Sequence, residues 1–321
     1  MLLATMRLST MPLIAATLLG LSLAPPAQAA DHLTLMLDWF VNPDHGPILV
    51  AQQRGYFKAA GLEVEIVAPS DPNDPPKLVA AGQADIGVSY QPQLLIQVDQ
   101  GLPLVRIGTL VATPLNSLLV LKGGPIHRIE DLKGRKVGFS VGGFEDTLLQ
   151  AMLARHGLGL DAVELVNVNF ALAPALLSGQ VDGVIGAYRN FEMNQLALEG
   201  KPGRAFFPEE EGVPAYDELI FIANRAKLDD PRLGRFMDAV EQGVQYLVNH
   251  PDESFKLFVE GRPELDDELN RRAWKDTLTR FALRPAALDH ARYARFATFL
   301  AQQGLIKPPP PVESYAVELA R

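Results

Sequence analysis

Residues 37–57 read LDWFVNPDHGPILVAQQRGYF. An apolar strand over 33–37 ends here, breaks at Asp38-Trp39-Phe40, turns through Asn42-Pro43-Asp44 and restarts as a helix at Gly46-Pro47 that runs to about residue 59. A strand, a turn and a helix in that order put the side chains of the break at the carboxyl end of a strand, where α/β proteins present groups to a ligand. Asp38, Trp39, Asn42 and His45 all lie there. Aromatic residues on such a turn either face a cleft or plug the edge of a core.

Outward from this stretch the chain keeps alternating. Gly61 stands where a helix stops in a left-handed residue, and residues 62–67 alternate with the period of a strand. Residues 69–76, rich in Pro and Asp, form a loop that opens a short helix through Leu78 and Val79. Further on, 118–121 and 136–139 are strands, and 129–134 a short helical turn. Strands interleaved with helices make this an α/β protein. An internal echo adds architecture: Gly82-Gln83-Ala84-Asp85 before a strand ending at Tyr90 recurs as Gly179-Gln180-Val181-Asp182 before one ending at Tyr188, the copies differing by one residue in strand length. Two similar lobes, each delivering a Tyr at a strand end, suggest a ligand held between them.

A second break, Ser140-Val141-Gly142-Gly143, leads into a helix beginning at Phe144. Glycines there let a ligand approach the backbone and the amides of the helix start. Glu145 and Asp146 occupy that first turn and complement the helix dipole, which disfavours a phosphate or sulfonate. After Tyr188 come Asn190 and Glu192; the acidic triplet 209–211 reads as a solvated loop, and from 229 onward the pattern is helical only. The expected division is residues 1–30 as a signal peptide, 31–115 as lobe one, 116–224 as lobe two and 225–321 as a helical return onto lobe one.

The 321-residue chain is ordinary globular material, 48% hydrophobic and 21% charged. Residues 1–30 combine Arg7, an apolar run over 11–23 and a small-residue site at Ala27-Gln28-Ala29, the grammar of a secretory signal, and the run is too short to span a bilayer. Without Arg7 the net charge is −10, and no basic cluster exists, so nucleic acid and anionic membrane surfaces are poor partners. There is no cysteine to form a disulfide or carry a lipid. The expected location is the periplasm, free of any anchor.

These residues resemble periplasmic solute-binding proteins of the kind that includes thiamin-pyrimidine precursor binders and the fungal pyrimidine synthases related to them. The match runs through residues 33–224, on Asp38-Trp39-Phe40 with Asn42 and His45, Gly55-Tyr56-Phe57 with Gly61-Leu62, Asp131-Leu132-Lys133-Gly134, and Gly186-Ala187-Tyr188 with Asn190 and Glu192. The resemblance implies a bilobed type II periplasmic-binding-protein fold, and a receptor that hands N-formyl-4-amino-5-aminomethyl-2-methylpyrimidine, or a close aminopyrimidine, to an ABC permease without turnover. The ring would lie between Trp39 and Tyr188, Glu192 would accept from the exocyclic amine, and Asn42, Tyr90 and Asn190 would add polar contacts. Asp38, His45, Gly142, Gly143, Phe144, Tyr216 and Glu218 complete the expected ligand-binding set.

The same resemblance reaches enzymes. Where the fungal synthases carry a Lys after the Asp-Trp pair this chain has Phe40, and their cysteine-rich stretch corresponds to 214–218 here, with no Cys. The amine for a Schiff base and the metal site are both gone. The histidines at 32, 45, 127, 156, 250 and 290 include no pair four apart, so a metal site of that type is not expected, nor is a cofactor. A receptor for another flat heterocycle, such as a flavin precursor, or for an alkyl sulfonate stays open, as does a pyrimidine-forming or deformylating enzyme.

Overall fold

A computed structural model describes residues 30–319; the expected signal peptide lies outside the described residues, apart from Ala30. Ten strands build two sheets: β1 Asp31–Met36, β2 Leu62–Val67, β3 Ile86–Ser89, β4 Leu104–Val111, β5 Asn116–Leu121, β6 Lys136–Phe139, β7 Glu164–Asn167, β8 Gly183–Tyr188, β9 Gly203–Phe206 and β10 Leu219–Asn224. The first sheet runs β2-β1-β3-β10-β4 and the second β7-β6-β8-β5-β9. Each is mixed, with a parallel half (β1 with β2 and β3; β6 with β7 and β8) and an antiparallel half. This is the bilobed α/β architecture that the sequence implies.

The chain crosses between lobes twice, once between β4 and β5 and once between β9 and β10. The second crossing corrects a boundary. Placing the end of lobe two at 224 assigns Leu219–Asn224 to it, whereas this strand pairs with β3 and β4 of the first sheet. The strand is apolar along its length because a central position buries both of its faces, and such a run carries no mark of which sheet it joins.

The internal echo is structural. β3 and β8 hold the same central place in their sheets, each between one parallel and one antiparallel neighbour. Gly82 and Gly179 both take left-handed φ angles of 73° and 75°. Asp85 Oδ2 accepts the Thr34 amide at 3.0 Å and Asp182 Oδ2 accepts the Lys136 amide at 2.9 Å, so each Asp pins the start of its strand to the neighbouring parallel strand. The extra residue of the second copy is a bulge. Between Ser117–Ala187 and Leu119–Val184 the register slips, and Gly186 takes φ 97°.

The C-terminal region is helical, with Pro231–Asn249, Pro251–Val259, Glu268–Thr277 and His290–Gln302 as its main helices. In Pro231–Asn249 the residues Leu233, Phe236, Met237, Val240, Val244 and Leu247 recur at helical spacing and are buried. This helix packs closely on the helix Gly46–Gln53: a Cβ on Gly243 would lie 2.3 Å from the Pro47 carbonyl oxygen. Arg106, fully buried in β4, donates to the carbonyls of Pro285, Ala286 and Val317 and ties the C-terminal segment to the first sheet.

Candidate functional site

A cleft lies between the lobes. Asp38, Trp39, Asn42, Asp44 and Tyr90 line it from the first; Phe144, Glu145, Leu172, Gly186, Tyr188, Phe191 and Glu192 line it from the second. Both echoed tyrosines thus reach one cavity, each from the end of the central strand of its sheet.

The first wall is built by the turn after β1. Asn42 caps the short turn Pro43–His45, its Oδ1 accepting the Asp44 amide at 2.8 Å, while His45 Nδ1 accepts the Asn42 amide at 3.3 Å. Because Nδ1 accepts, the ring hydrogen belongs on Nε2, which donates to Asp38 Oδ1 at 2.9 Å. Tyr90 donates to the other oxygen, Oδ2, at 2.9 Å. Asp38 therefore fixes Tyr90 and His45, and His45, fully buried, stands behind Asp38 rather than at the cavity wall.

The second wall carries two carboxyls held by backbone. Glu192 Oε2 accepts the Tyr188 amide at 2.6 Å, and Glu145 Oε2 accepts the Ser140 amide at 2.7 Å. The bulge at Gly186 makes room for Glu145: a Cβ there would come within 2.3 Å of its carboxyl. The bulge amide is not wasted, since Gly186 donates to Asn116 Oδ1 at 3.1 Å.

Burial raises the pKa of Glu145 to about 8, of Glu192 to about 7 and of Asp44 to about 6. The backbone amides of Ser140 and Val141 oppose the shift at Glu145, the Tyr188 amide opposes it at Glu192, and the hydrogen bonds from Thr277 and Asn190 oppose it at Asp44. Burial likewise pushes the Tyr90 and Tyr188 phenols well above their usual value. Among the described residues no lysine or arginine lines the cavity. Arg189, next in sequence to Tyr188, turns outward to Glu209 at 2.5 Å.

Several expected site residues lie elsewhere. Gly142 and Gly143 are exposed, and the Gly142 amide is taken by Asn73 Oδ1 at 3.0 Å. Asn190 is buried beside the cavity, donating to Asp44 Oδ1 at 2.6 Å and to Thr277 at 2.7 Å, so it joins the lobes. Tyr216 packs on Phe296, with ring centroids 5.2 Å apart, and Glu218 is spent on the amides of Leu115 and Asn116 at 2.6 and 2.9 Å. Glu218 still reaches the site indirectly, its Oε1 lying 3.5 Å from the Tyr188 hydroxyl. Asp44, Glu145, Leu172, Gly186 and Phe191 line the cavity without having been singled out as ligand groups. For Glu145 the sequence signal existed, an acid at a glycine-rich strand-to-helix break, but it reads equally well as a helix-dipole partner.

A family model described as "NMT1/THI5 like" matches residues 42–254. The chain is 54% identical over 302 residues to a "Putative thiamine biosynthesis protein" of Haemophilus influenzae, covering 94% of this chain and 96% of that one. It is 33% identical over 254 residues to a "Formylaminopyrimidine-binding protein" of Halalkalibacterium halodurans, covering 78% and 77%. A "4-amino-5-hydroxymethyl-2-methylpyrimidine phosphate synthase" of Legionella pneumophila matches at 28% identity, covering 78% and 80%. Among solved structures, the alkanesulfonate-binding protein SsuA of Xanthomonas axonopodis pv. citri superposes with a TM-score of 0.71 at 18% identity, covering 91% and 100%. At that identity the likeness is one of fold.

Proposed function

We propose that this chain, which belongs to the NMT1/THI5-like family, is the periplasmic receptor of an ABC importer for a thiamin pyrimidine precursor, and that it binds its ligand without turnover. The ligand is N-formyl-4-amino-5-aminomethyl-2-methylpyrimidine or a related aminopyrimidine. One observation carries this reading: the polar side chains of an aromatic-walled cleft are mostly carboxyls and phenols, with the amide of Asn42, and among the described residues no lysine or arginine lines it. A flat ring with amino substituents supplies the donors such carboxyls lack, and a carboxyl titrating near 7 can also give a proton to a ring nitrogen. A sulfonate would enter an acidic cavity with no counter-charge. The 33% identical formylaminopyrimidine-binding protein supports the same ligand class.

Trp39 and Tyr188 are the proposed stacking walls, and Glu192 the proposed reader of the exocyclic amine. Asp38 orients Tyr90. No helix among the described residues is long and apolar enough to cross a membrane, in keeping with a receptor that meets its permease from outside the bilayer.

A catalytic reading is favoured by the relatives named as synthases. Against it stand Phe40, at the position where the resemblance places a lysine, and the absence of cysteine. His45, moreover, is spent on Asp38 and Asn42 behind the wall. Mass spectrometry of the small molecule released when the purified protein is denatured tests both points. An unchanged aminopyrimidine supports the receptor; an alkyl sulfonate overturns the ligand class, and a reaction product appearing from added ligand overturns binding without turnover.

A further inference from the structure

We infer that Asn73 is a positioning residue that ties ligand contact at Glu145 to closure of the cleft. Asn73 belongs to the loop between β2 and the helix Pro75–Ala80, on the first lobe. Asp71 Oδ1 accepts both its backbone amide, at 2.8 Å, and its Nδ2, at 2.9 Å, which fixes the side chain before it meets anything else. Across the cleft, Nδ2 donates to the Ser140 carbonyl at 3.1 Å while Oδ1 accepts the Gly142 amide at 3.0 Å. The side-chain amide therefore pairs with backbone groups on both sides of Val141. Both bonds form only when the lobes are together.

The same turn is gripped from inside. Ser140 donates its amide to Glu145 Oε2 at 2.7 Å, and Glu145 lines the cavity against Gly186. Residues 140–142 thus have one face on a ligand-facing carboxyl and the other on the opposite lobe. A ligand that engages Glu145 fixes the turn in the shape Asn73 needs, and Asn73 in return holds the cleft shut over the ligand. The lobes also meet elsewhere, where Asp44 accepts from Asn190 and Phe40 lies against Phe170 and Phe191, at centroid distances of 6.3 and 6.0 Å.

The inference rests on the proposed function for its probe, so the test has a ligand arm and a ligand-free arm. In the first, tryptophan fluorescence follows binding of N-formyl-4-amino-5-aminomethyl-2-methylpyrimidine by stopped flow. Asn73→Ala is expected to speed dissociation about ten-fold, with association within about two-fold and the ligand-free melting temperature unchanged. Asn73→Asp keeps the acceptor for Gly142 but turns an oxygen on the Ser140 carbonyl, and is expected to be at least as fast. Glu145→Gln should also speed dissociation, and Asn73→Ala should add little to it, since both act through one turn. Parent-like dissociation in Asn73→Ala, or full additivity with Glu145→Gln, overturns the inference.

In the second arm the absence of cysteine allows spin labels at Lys58→Cys and Lys201→Cys, both exposed and one on each lobe. The ligand-free label distance should shift toward longer values when Asn73 becomes Ala. An unchanged distribution contradicts the latch. If the parent fails to bind the probe at all, the ligand reading falls while this second arm still decides the latch.

Discussion

Glu192 folds its carboxyl back onto the strand that ends at Tyr188, accepting the Tyr188 amide at 2.6 Å. One residue thereby presents an aromatic face and the other a buried carboxyl to the same cavity, and a ligand that stacks on the ring meets the acid at its edge. Glu192→Gln preserves shape but replaces a charge-assisted bond to an amino group with a neutral one. We expect a loss of about 1–2 kcal/mol, near ten-fold in Kd, confined to ligands that carry the amine. Titration calorimetry of both proteins against the amino ligand and an analogue lacking the amine measures the coupling.

The two aromatic walls should respond differently. Tyr188→Ala is expected to weaken binding by about 1–3 kcal/mol with a small effect on the ligand-free fold, and Tyr188→Phe by less than about 1 kcal/mol, because the hydroxyl makes only a 3.5 Å contact to Glu218. Trp39, although carried by the first lobe, packs in the apolar cluster of the second, with Phe170 at 4.6 Å edge-on. Trp39→Ala should therefore weaken binding and lower the ligand-free melting temperature together, as thermal denaturation of both variants would show.

Gly186→Ala tests the bulge. With φ at 97° and a Cβ 2.3 Å from the Glu145 carboxyl, the substitution strains the backbone and displaces the acid. A stability loss of about 1–3 kcal/mol, with weaker ligand binding, is expected in a denaturant titration and a calorimetric binding curve.

Stability without ligand should fall on the alkaline side. Glu145, Glu192 and Glu218 carry folded-state pKa values of about 8, 7 and 7, raised by burial from an ordinary 4.5. Each raised value means the folded state binds the proton more tightly than the unfolded chain. The resulting stabilisation is fully present below pH 4.5 and is lost as pH rises through 7 to 8. The melting temperature should drop by roughly 5–10 °C between pH 5.5 and pH 8.5, and Glu192→Gln should flatten the curve. A profile that rises over this interval would contradict the net effect of burial on these carboxyls.

Much of the architecture was legible because it is written in local pattern. β2 and β6 have the bounds read from their alternation and flanking turns, and the Gly-Gln-x-Asp echo marks the central strands because a left-handed Gly and an amide-accepting Asp are local requirements. β4 went unread: all eight of its residues are buried, so neither face alternates. The assignment of β10 to the first sheet is a long-range pairing that no window of sequence contains. At the site, Asp38, Trp39 and Tyr188 stand at strand ends and were readable as such. The role of Glu145 depends on a bulge in another strand, and the burial of Tyr216 and Glu218 depends on a return helix and on the β5 backbone.

The most direct test of the receptor reading is titration calorimetry of the purified protein with N-formyl-4-amino-5-aminomethyl-2-methylpyrimidine and, in parallel, with an alkanesulfonate. The account predicts saturable one-to-one binding of the aminopyrimidine, recovered unchanged afterwards, and no heat from the sulfonate. Sulfonate binding with no response to the aminopyrimidine would contradict it.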